Sequence, residues 1–298
     1  MDERDWLTAR FEQHRSDLRR VAYRMLGSLS EADDALQEAW LRVRDQDPAS
    51  VQNMQAWLST VVGRVCLNML RSRRRHGASW ELHVPDPVVV LNGSPGPDQE
   101  ALIADSVGLA LQVVLDSLNP AERLAFVLHD VFGVHFAEIA SVLGRPEAAA
   151  QQLASRARRR VRGIPEPDAD LGRQKAVVGA FFAASRDGDF KALLELLDPE
   201  VELRIDGGAL RKESSLVLRG AAAVATHTAT YSKWYPLARP ALVNGAAGAV
   251  VSTARSILAV MGFTVRNGKV AQIDVLMDPD RLGRLRSSWP AYPEKDPI

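Results

Sequence analysis

The chain has 298 residues, 46% of them hydrophobic, with 37 basic side chains against 37 acidic ones. That length suggests two or three domains with sizeable cores, and the balanced charge leaves any nucleic-acid contact to local clusters. A single cysteine, Cys66, excludes an internal disulfide and a cysteine-based zinc site. It lies in the apolar run VVGRVCLNML and reads as a small core residue. The charged start MDERDWLTARFEQHR lacks an apolar signal-peptide core, and no apolar run is long enough for a membrane span, so a soluble, cytoplasmic protein is expected.

Residues 1–76 are predicted to be helical. Leu18, Val21, Ala22, Met25 and Leu26 recur at helical spacing. GSLSEADDALQEAWLRV predicts a second helix, with Ser30 as its N-cap and acids in its first turn. NMQAWLSTVVGRVCLNMLRSRRR predicts a third, which closes on Arg71, Arg73, Arg74 and Arg75, with Arg64 two turns earlier. Trp40 and Trp57 lie nearby. Basic and aromatic residues together suit single-stranded DNA, yet both tryptophans also fit the apolar faces of amphipathic helices. Residues 77–101, containing VPDPVVVLNGSPGPDQ, have no helical period and predict a linker. Extended at ~3.3 Å per residue, it would reach about 80 Å, enough for two turns of duplex at about 70 Å.

Residues 102–163 return to helix. Asn119-Pro120 predicts a cap followed by proline at the first helical position, and PAERLAFVLHDVFG runs from there to Gly133. HFAEIASVLG closes at Gly144, and a turn near Arg145-Pro146 leads into EAAAQQLASRARRRVRG. Two short helices joined by a tight glycine-containing turn predict a helix-turn-helix. Its second helix would enter the major groove, with Gln151, Gln152 and Ser155 towards base edges and Arg156, Arg158, Arg159, Arg160 and Arg162 suited to phosphates. Arginine near a helix C-terminus also complements the macrodipole, so the run alone leaves a basic helix end without a partner open.

Residues 164–298 change character. GRQKAVVGAFFAASRDG and DFKALLELLD predict helices, and VELRI, SLVLRG, PALV and GAVVSTARSILAVMGFTVRNGKVAQIDVLM predict strands. Asn267-Gly268 marks a hairpin. The expected architecture is multidomain: two all-α domains followed by an α+β domain. The six histidines show no metal-ligand spacing and no phosphate-cradling glycine loop occurs, so no metal or cofactor is expected.

RRVAYRMLGSLSEADDALQEAWLRV, AWLSTVVGRVCLNMLRSRRR and LNPAERLAFVLHDVFGVHFAEIASVLGRPEAAAQQLASRARRRV, in that order over about residues 8–162, resemble the sigma-2 and sigma-4 domains of bacterial extracytoplasmic-function (ECF) sigma factors. The resemblance implies promoter-specific transcription initiation with core RNA polymerase, and no chemistry by the chain itself. It implies that Asp33, Asp34, Gln37 and Glu38 meet the polymerase clamp helices. Asn53, Arg64, Arg71, Arg73, Arg74 and Arg75 would handle the −10 element. The sigma-4 domain would bind the β flap and read the −35 element through Gln151, Gln152, Ser155, Arg156, Arg158 and Arg159.

The last segment resembles the SnoaL-like (NTF2-like) cone fused to ECF41-type sigma factors, where it modulates activity in cis. Asp206-Gly207-Gly208 and Asp278-Pro279-Asp280-Arg281-Leu282 match its motifs. Ala209 shortens the glycine motif, and Asp278 stands where the group has Asn. The group's linker motif survives only as WELHVPDP, through Trp80, Pro85 and Pro87. Asn68 replaces a common Asp, and Gln151 a common basic residue. Such cones enclose an apolar pocket. Asp206, His227, Tyr231, Trp234 and Asp274 leave three roles open: acid–base catalysis, binding of a small apolar ligand, or a structural and regulatory role. A ligand-responsive helix-turn-helix regulator and a SnoaL-type enzyme with a DNA-binding appendage are the alternatives. The acidic second helix and the separate basic third helix argue against both.

Overall fold

A computed structural model describes residues 3–44, 46, 51, 53–75, 83–91, 108–162, 168–208, 213–254 and 256–287. The chain divides into two compact units. The first comprises Met1–Glu81, Pro97–Leu102 and Leu111–Ile164, and the second Leu82–Gly96, Ile103–Ala110 and Pro165–Ile298. The stretch 77–101, expected to be a linker between two separate helical modules, is thus shared out between the units.

In the first unit, α1 (Glu3–Leu26), α2 (Leu29–Val43) and α3 (Met54–Arg75) pack together. Leu18, Val21, Ala22, Met25 and Leu26 are all 0% exposed, as their spacing predicts. Gly27, at φ +71°, ends α1 early enough that Ser28, rather than Ser30, caps α2. Its Oγ accepts the Glu31 N–H at 3.4 Å. Cys66 is a buried core residue, and burial pushes its thiol up to about 12.

The same unit contains α4 from Leu111 onward (the helix as a whole spans Gly108–Ser117), α5 (Pro120–Phe126), α6 (Phe136–Leu143) and α7 (Glu147–Val161). Asn119 and Glu122 form the capping box of α5, with Pro120 at the first turn. The predicted continuous helix to Gly133 instead widens into a π-turn, Val127–Val131, where the Phe132 N–H reaches back to the Val127 carbonyl at 3.2 Å. Gly144, at φ +64°, closes α6 as expected.

The helical modules share a core. α3 packs on α5 and α6, with Gly63 at the contact. A Cβ there would lie 3.0 Å from Leu124 Cδ1 and 3.1 Å from Leu128 Cδ1.

The second unit is α+β. Its seven-stranded sheet has the order β1-β4-β5-β6-β7-β2-β3. The strands are β1 (Val89–Val90), β2 (Leu197–Asp206), β3 (Leu216–Arg219), β4 (Ala238–Val243), β5 (Ala246–Ser252), β6 (Ile257–Arg266) and β7 (Lys269–Leu276). All neighbours are antiparallel except β2 and β7. α8 (Leu171–Asp187), α9 (Phe190–Leu196), α10 (Ala221–Ala229) and a 3-10 segment, Ser232–Leu237, supply further core residues, and α11 (Pro279–Ser287) follows β7. Phe181, Phe182, Tyr235 and Phe263 form an aromatic cluster in the core.

Asn267 and Gly268 both have positive φ, as the predicted hairpin requires. Asn244-Gly245 makes the β4–β5 hairpin by the same device, which the sequence reading missed. The long predicted strand run resolves into β5, β6 and β7. Residues 83–91 belong to this unit: Val88, Val89 and Val90 are buried, and β1 pairs with β4. No described helix is long and apolar enough to cross a membrane.

Candidate nucleic-acid interface and linker clasp

The helix-turn-helix is formed by α6, a turn through Gly144, Arg145 and Pro146, and α7. Ala150, Leu153, Ala154 and Ala157 make the buried stripe of α7. The opposite face exposes Gln151, Gln152, Ser155, Arg156 and Arg159. Gln151 Nε2 donates to Glu147 Oε1 at 3.2 Å. Arg158 differs from expectation: it is half-buried, and its Nε donates to Asp130 Oδ1 at 2.5 Å. It ties α7 to the π-turn rather than standing free for phosphate. Arg160 pairs with Glu122 at 3.2 Å.

Of the six residues assigned to the −10 element, the four whose side chains are described do not form one open surface. Asn53 Oδ1 accepts the Ala56 N–H at 3.0 Å and so caps α3. Arg71 is exposed. Arg64 is exposed but donates to the Ser141 carbonyl of α6 at 3.4 Å. Arg73 is half-buried, ion-paired with Glu31, and donates to the Leu26 carbonyl at 3.3 Å, so it joins α3 to the α1–α2 corner. The side chains of Arg74 and Arg75 lie outside the described residues. On α2, Asp33, Asp34, Gln37 and Glu38 all lie on the exposed face, opposite buried Ala32, Ala35, Leu36 and Ala39. Arg19 meets Asp33 through two hydrogen bonds of 2.7 and 3.0 Å, and Arg42 meets Glu38 at 2.8 Å.

A buried polar junction, which the sequence reading missed, joins α1, α4 and α5. Arg123, 1% exposed, donates through Nε to the Arg24 carbonyl at 2.8 Å and forms an ion pair with Asp116. Gln112, fully buried, donates to the Tyr23 and Arg24 carbonyls at 3.1 and 3.3 Å and accepts from Arg24 at 3.4 Å. Burial, with Arg20 and Arg123 nearby, holds the Arg24 guanidinium below its ordinary value. The only sequence cue was Arg123 inside the apolar run of ERLAFVL.

In the second unit, the two C-terminal motifs meet the segment that precedes β1. Asp206, at the end of β2, accepts the Val84 N–H at 2.9 Å and Arg281 Nη1 at 2.9 Å on Oδ2, and the Gly208 N–H at 2.9 Å on Oδ1. Arg281 also donates from Nε to Asp86 at 2.6 Å and from Nη2 to the Val84 carbonyl at 2.5 Å. Asp278 caps α11, accepting the Asp280 and Arg281 N–H groups at 2.9 and 3.2 Å. Gly207 donates to Ser215 Oγ at 3.0 Å, and Leu282 is buried. Gly208 has φ +71°, and a Cβ there would run into the Asp278 carboxylate. Pro85 and Pro87 are buried in this clasp; Trp80 and Ala209 lie outside the described residues.

The polar candidates of the cone separate. His227, Tyr231 and Trp234 line a cavity of about 300 Å³, whose other lining residues are mainly apolar. Asp206 belongs to the clasp. Asp274 lies on the opposite face of β7 from the cavity-lining Ile273 and Val275. Asp274 is 2% exposed, and both its oxygens accept from Gln272 Nε2 at 3.0 and 2.8 Å. Burial raises its carboxyl to about 6. No described carboxylate lines the cavity, so the histidine–carboxylate pair needed for acid–base work is not assembled there.

Residues 10–76 match the family model for Sigma-70 region 2, and residues 108–161 the one for Sigma-70 region 4. The ECF RNA polymerase sigma factor SigJ of Mycobacterium tuberculosis is 36% identical over 291 residues, covering 91% of this chain and 92% of its own. The probable ECF sigma factor SigI of the same species is 32% identical over 305 residues, covering 96% and 98%. The crystal structure of M. tuberculosis SigJ superposes with a TM-score of 0.73 at 34% identity, over 93% of this chain and 98% of that one. The likeness therefore extends through the C-terminal α+β unit as well as the two helical regions, and the chain belongs to the extracytoplasmic-function RNA polymerase sigma factors.

Proposed function

We propose that this sigma factor reads its promoter through α7 and α3 and that its C-terminal unit controls it in cis by gripping the segment between the two Sigma-70 regions. The observation that carries this reading is the clasp. Asp206 and Arg281, from the two C-terminal motifs, close on Val84 and Asp86 with buried and partly buried, charge-assisted hydrogen bonds.

On the DNA side, Gln151, Gln152 and Ser155 face the −35 bases, and Arg156 and Arg159 hold the adjacent phosphates. Arg64 and Arg71, with Asn53 at the start of α3, serve the −10 strand, where unstacked bases need nearby cations. The acidic face of α2 meets core polymerase, and opposite charge steers that encounter. Polymerase performs the chemistry, and the chain works in the cytoplasm.

The docked first unit is not the promoter-bound form. Arg64 lies within 3.4 Å of Ser141 in the helix-turn-helix, whereas elements two duplex turns apart, as the linker's reach allows, would be separated by about 70 Å. Sigma-2 and sigma-4 must therefore separate on the promoter, and whatever holds the chain between them biases that step.

Run-off transcription with core polymerase tests the reading, using the full chain, a version ending at Ile164 and the Arg281→Ala variant. All three forms are expected to direct initiation. The last two should depart from the full chain in the same direction, and that direction gives the sign of control. Equal output from all three would remove the regulatory role, and no initiation from any of them would remove the promoter assignment.

A further inference from the structure

We infer that the cavity of the second unit is an effector site for a small, uncharged, largely apolar molecule bearing one hydrogen-bonding oxygen, and that its occupancy is felt at the linker clasp. This rests on the regulatory reading of the clasp given above.

The cavity's chemistry sets the ligand class. About 300 Å³ lies at the small end of the range that accepts a drug-sized molecule. Its wall is mainly aliphatic and aromatic, with Met261 and Met277 as adaptable fillers, and among the described residues it contains no Asp, Glu, Lys or Arg. A charged ligand would lose its hydration there and find no counter-ion.

One polar group stands out. His227 lines the cavity, and its Nε2 is shut off from solvent with no hydrogen-bond partner among the described residues. Burial lowers its pKa, which favours the neutral ring. A neutral imidazole nitrogen in an apolar wall pairs with a hydroxyl or carbonyl oxygen, according to tautomer. The Tyr235 hydroxyl, by contrast, already donates to the Thr228 carbonyl at 3.3 Å. Trp234, 38% exposed, also lines the cavity and places an aromatic face against both solvent and ligand.

The route to the clasp is short. Ile205 and Met277 line the cavity, and each immediately precedes a motif carboxylate, Asp206 and Asp278. The Met277 N–H donates to the Asp206 carbonyl at 2.7 Å, and Ile205 pairs with cavity-lining Val275 in the parallel β2–β7 register. A ligand that moves these side chains displaces the strand ends that aim Asp206 and seat Asp278 at the start of α11. A difference in ligand affinity between the closed and open clasp is then a coupling between the two sites.

Calorimetric titration of the full chain with 2-naphthol, which is neutral with one hydroxyl, tests the site. Naphthalene and 2-naphthoate serve as probes lacking the hydroxyl and carrying a charge. One saturable 2-naphthol site per chain is expected, with 2-naphthoate about tenfold weaker. His227→Phe keeps the apolar volume and should weaken 2-naphthol about fivefold or more while leaving naphthalene unchanged. Ala259→Leu, which fills the cavity, should weaken both neutral probes. No saturable site, equal affinity for 2-naphthoate, or an unaltered preference in His227→Phe would overturn the ligand assignment.

Amide exchange at Val84 and Val88 reads the coupling. Those rates should shift with 2-naphthol in the parent, and in His227→Phe only at about fivefold or higher concentration; binding without such a shift would overturn the coupling. Arg281→Ala should still take up 2-naphthol, so a failed clasp and a failed pocket give different results.

Discussion

Two arginines, Arg123 buried in the first unit and Arg281 partly buried in the second, each pin elements of their own unit together, and they are satisfied to different degrees. In the second unit, Arg281 spends Nε, Nη1 and Nη2 on two carboxylates and a carbonyl, and it keeps 13% side-chain exposure. In the first unit, Arg123 is more deeply buried, has one carboxylate and one carbonyl, and leaves Nη2 without a partner among the described residues. Arg24 adds a second buried cation beside it. Burial of charge is tolerated only where the pairing is nearly complete. The clasp meets that condition better than the junction, so the junction between the helical modules is the joint expected to open first.

Arg281→Ala should produce the largest effect. It strands Asp86 and Asp206 in a buried site, and a loss of about 3–5 kcal/mol is expected for the second unit. Hydrogen exchange at Val84 and Val88 would show it, and Arg281→Lys should recover only part, since an ammonium cannot reproduce the fork. If Arg281→Ala left those amides protected, the comparison would fail.

Asp274 extends the comparison to a carboxylate whose nearest partner is an amide. Its folded pKa of about 6 lies above the ordinary 3.8, under burial and Glu202, with Gln272 and Arg204 opposing. The protonated acid therefore favours the fold fully below about pH 4, and that advantage is lost as pH rises through about 6. Asp274→Asn should leave stability near the parent's at pH 4 and raise it by about 2–3 kcal/mol at pH 8. Urea unfolding across that range checks the sign.

Arg123→Met should cost the first unit about 2–3 kcal/mol, less than the clasp variant because its pairing is incomplete. Adding Asp116→Leu should restore most of that loss, since replacing a buried pair by apolar groups is often neutral. A double variant no better than the single one would mean that the pair is worth more than its geometry suggests. Ser28→Ala is the small reference effect, about 1 kcal/mol from a lost helix cap, with no change in either joint.

Local features were legible in the sequence where one residue type has one physical use. Asn119-Pro120 announced a helix start, Gly144 a helix end, Asn267-Gly268 a hairpin, and the apolar spacing from Leu18 to Leu26 a buried face. Asp206 and Arg281 were found through a resemblance, not through their own pattern, and Val84 and Asp86 were not singled out, because the four come together only in the fold. The Arg24–Gln112–Asp116–Arg123 junction went unread for the same reason. Arg73 and Arg158 looked like free cations because a sequence shows charge but not the carboxylate that the fold brings to it.

The two-residue strand β1 has a consequence for solubility. By pairing Val89 and Val90 with Val243 and Leu242, it stoppers one margin of the seven-stranded sheet. Pulling the segment away uncovers backbone donors and acceptors along β4, the kind of bare edge on which a second copy of a sheet can grow. Pro240 and Arg239 blunt one end of that edge, but Leu242 and Val243 do not. The gripped segment is thus a protective cover as well as a tether. A C-terminal fragment made without residues 83–91 is expected to self-associate with rising concentration, whereas one that retains them stays dispersed.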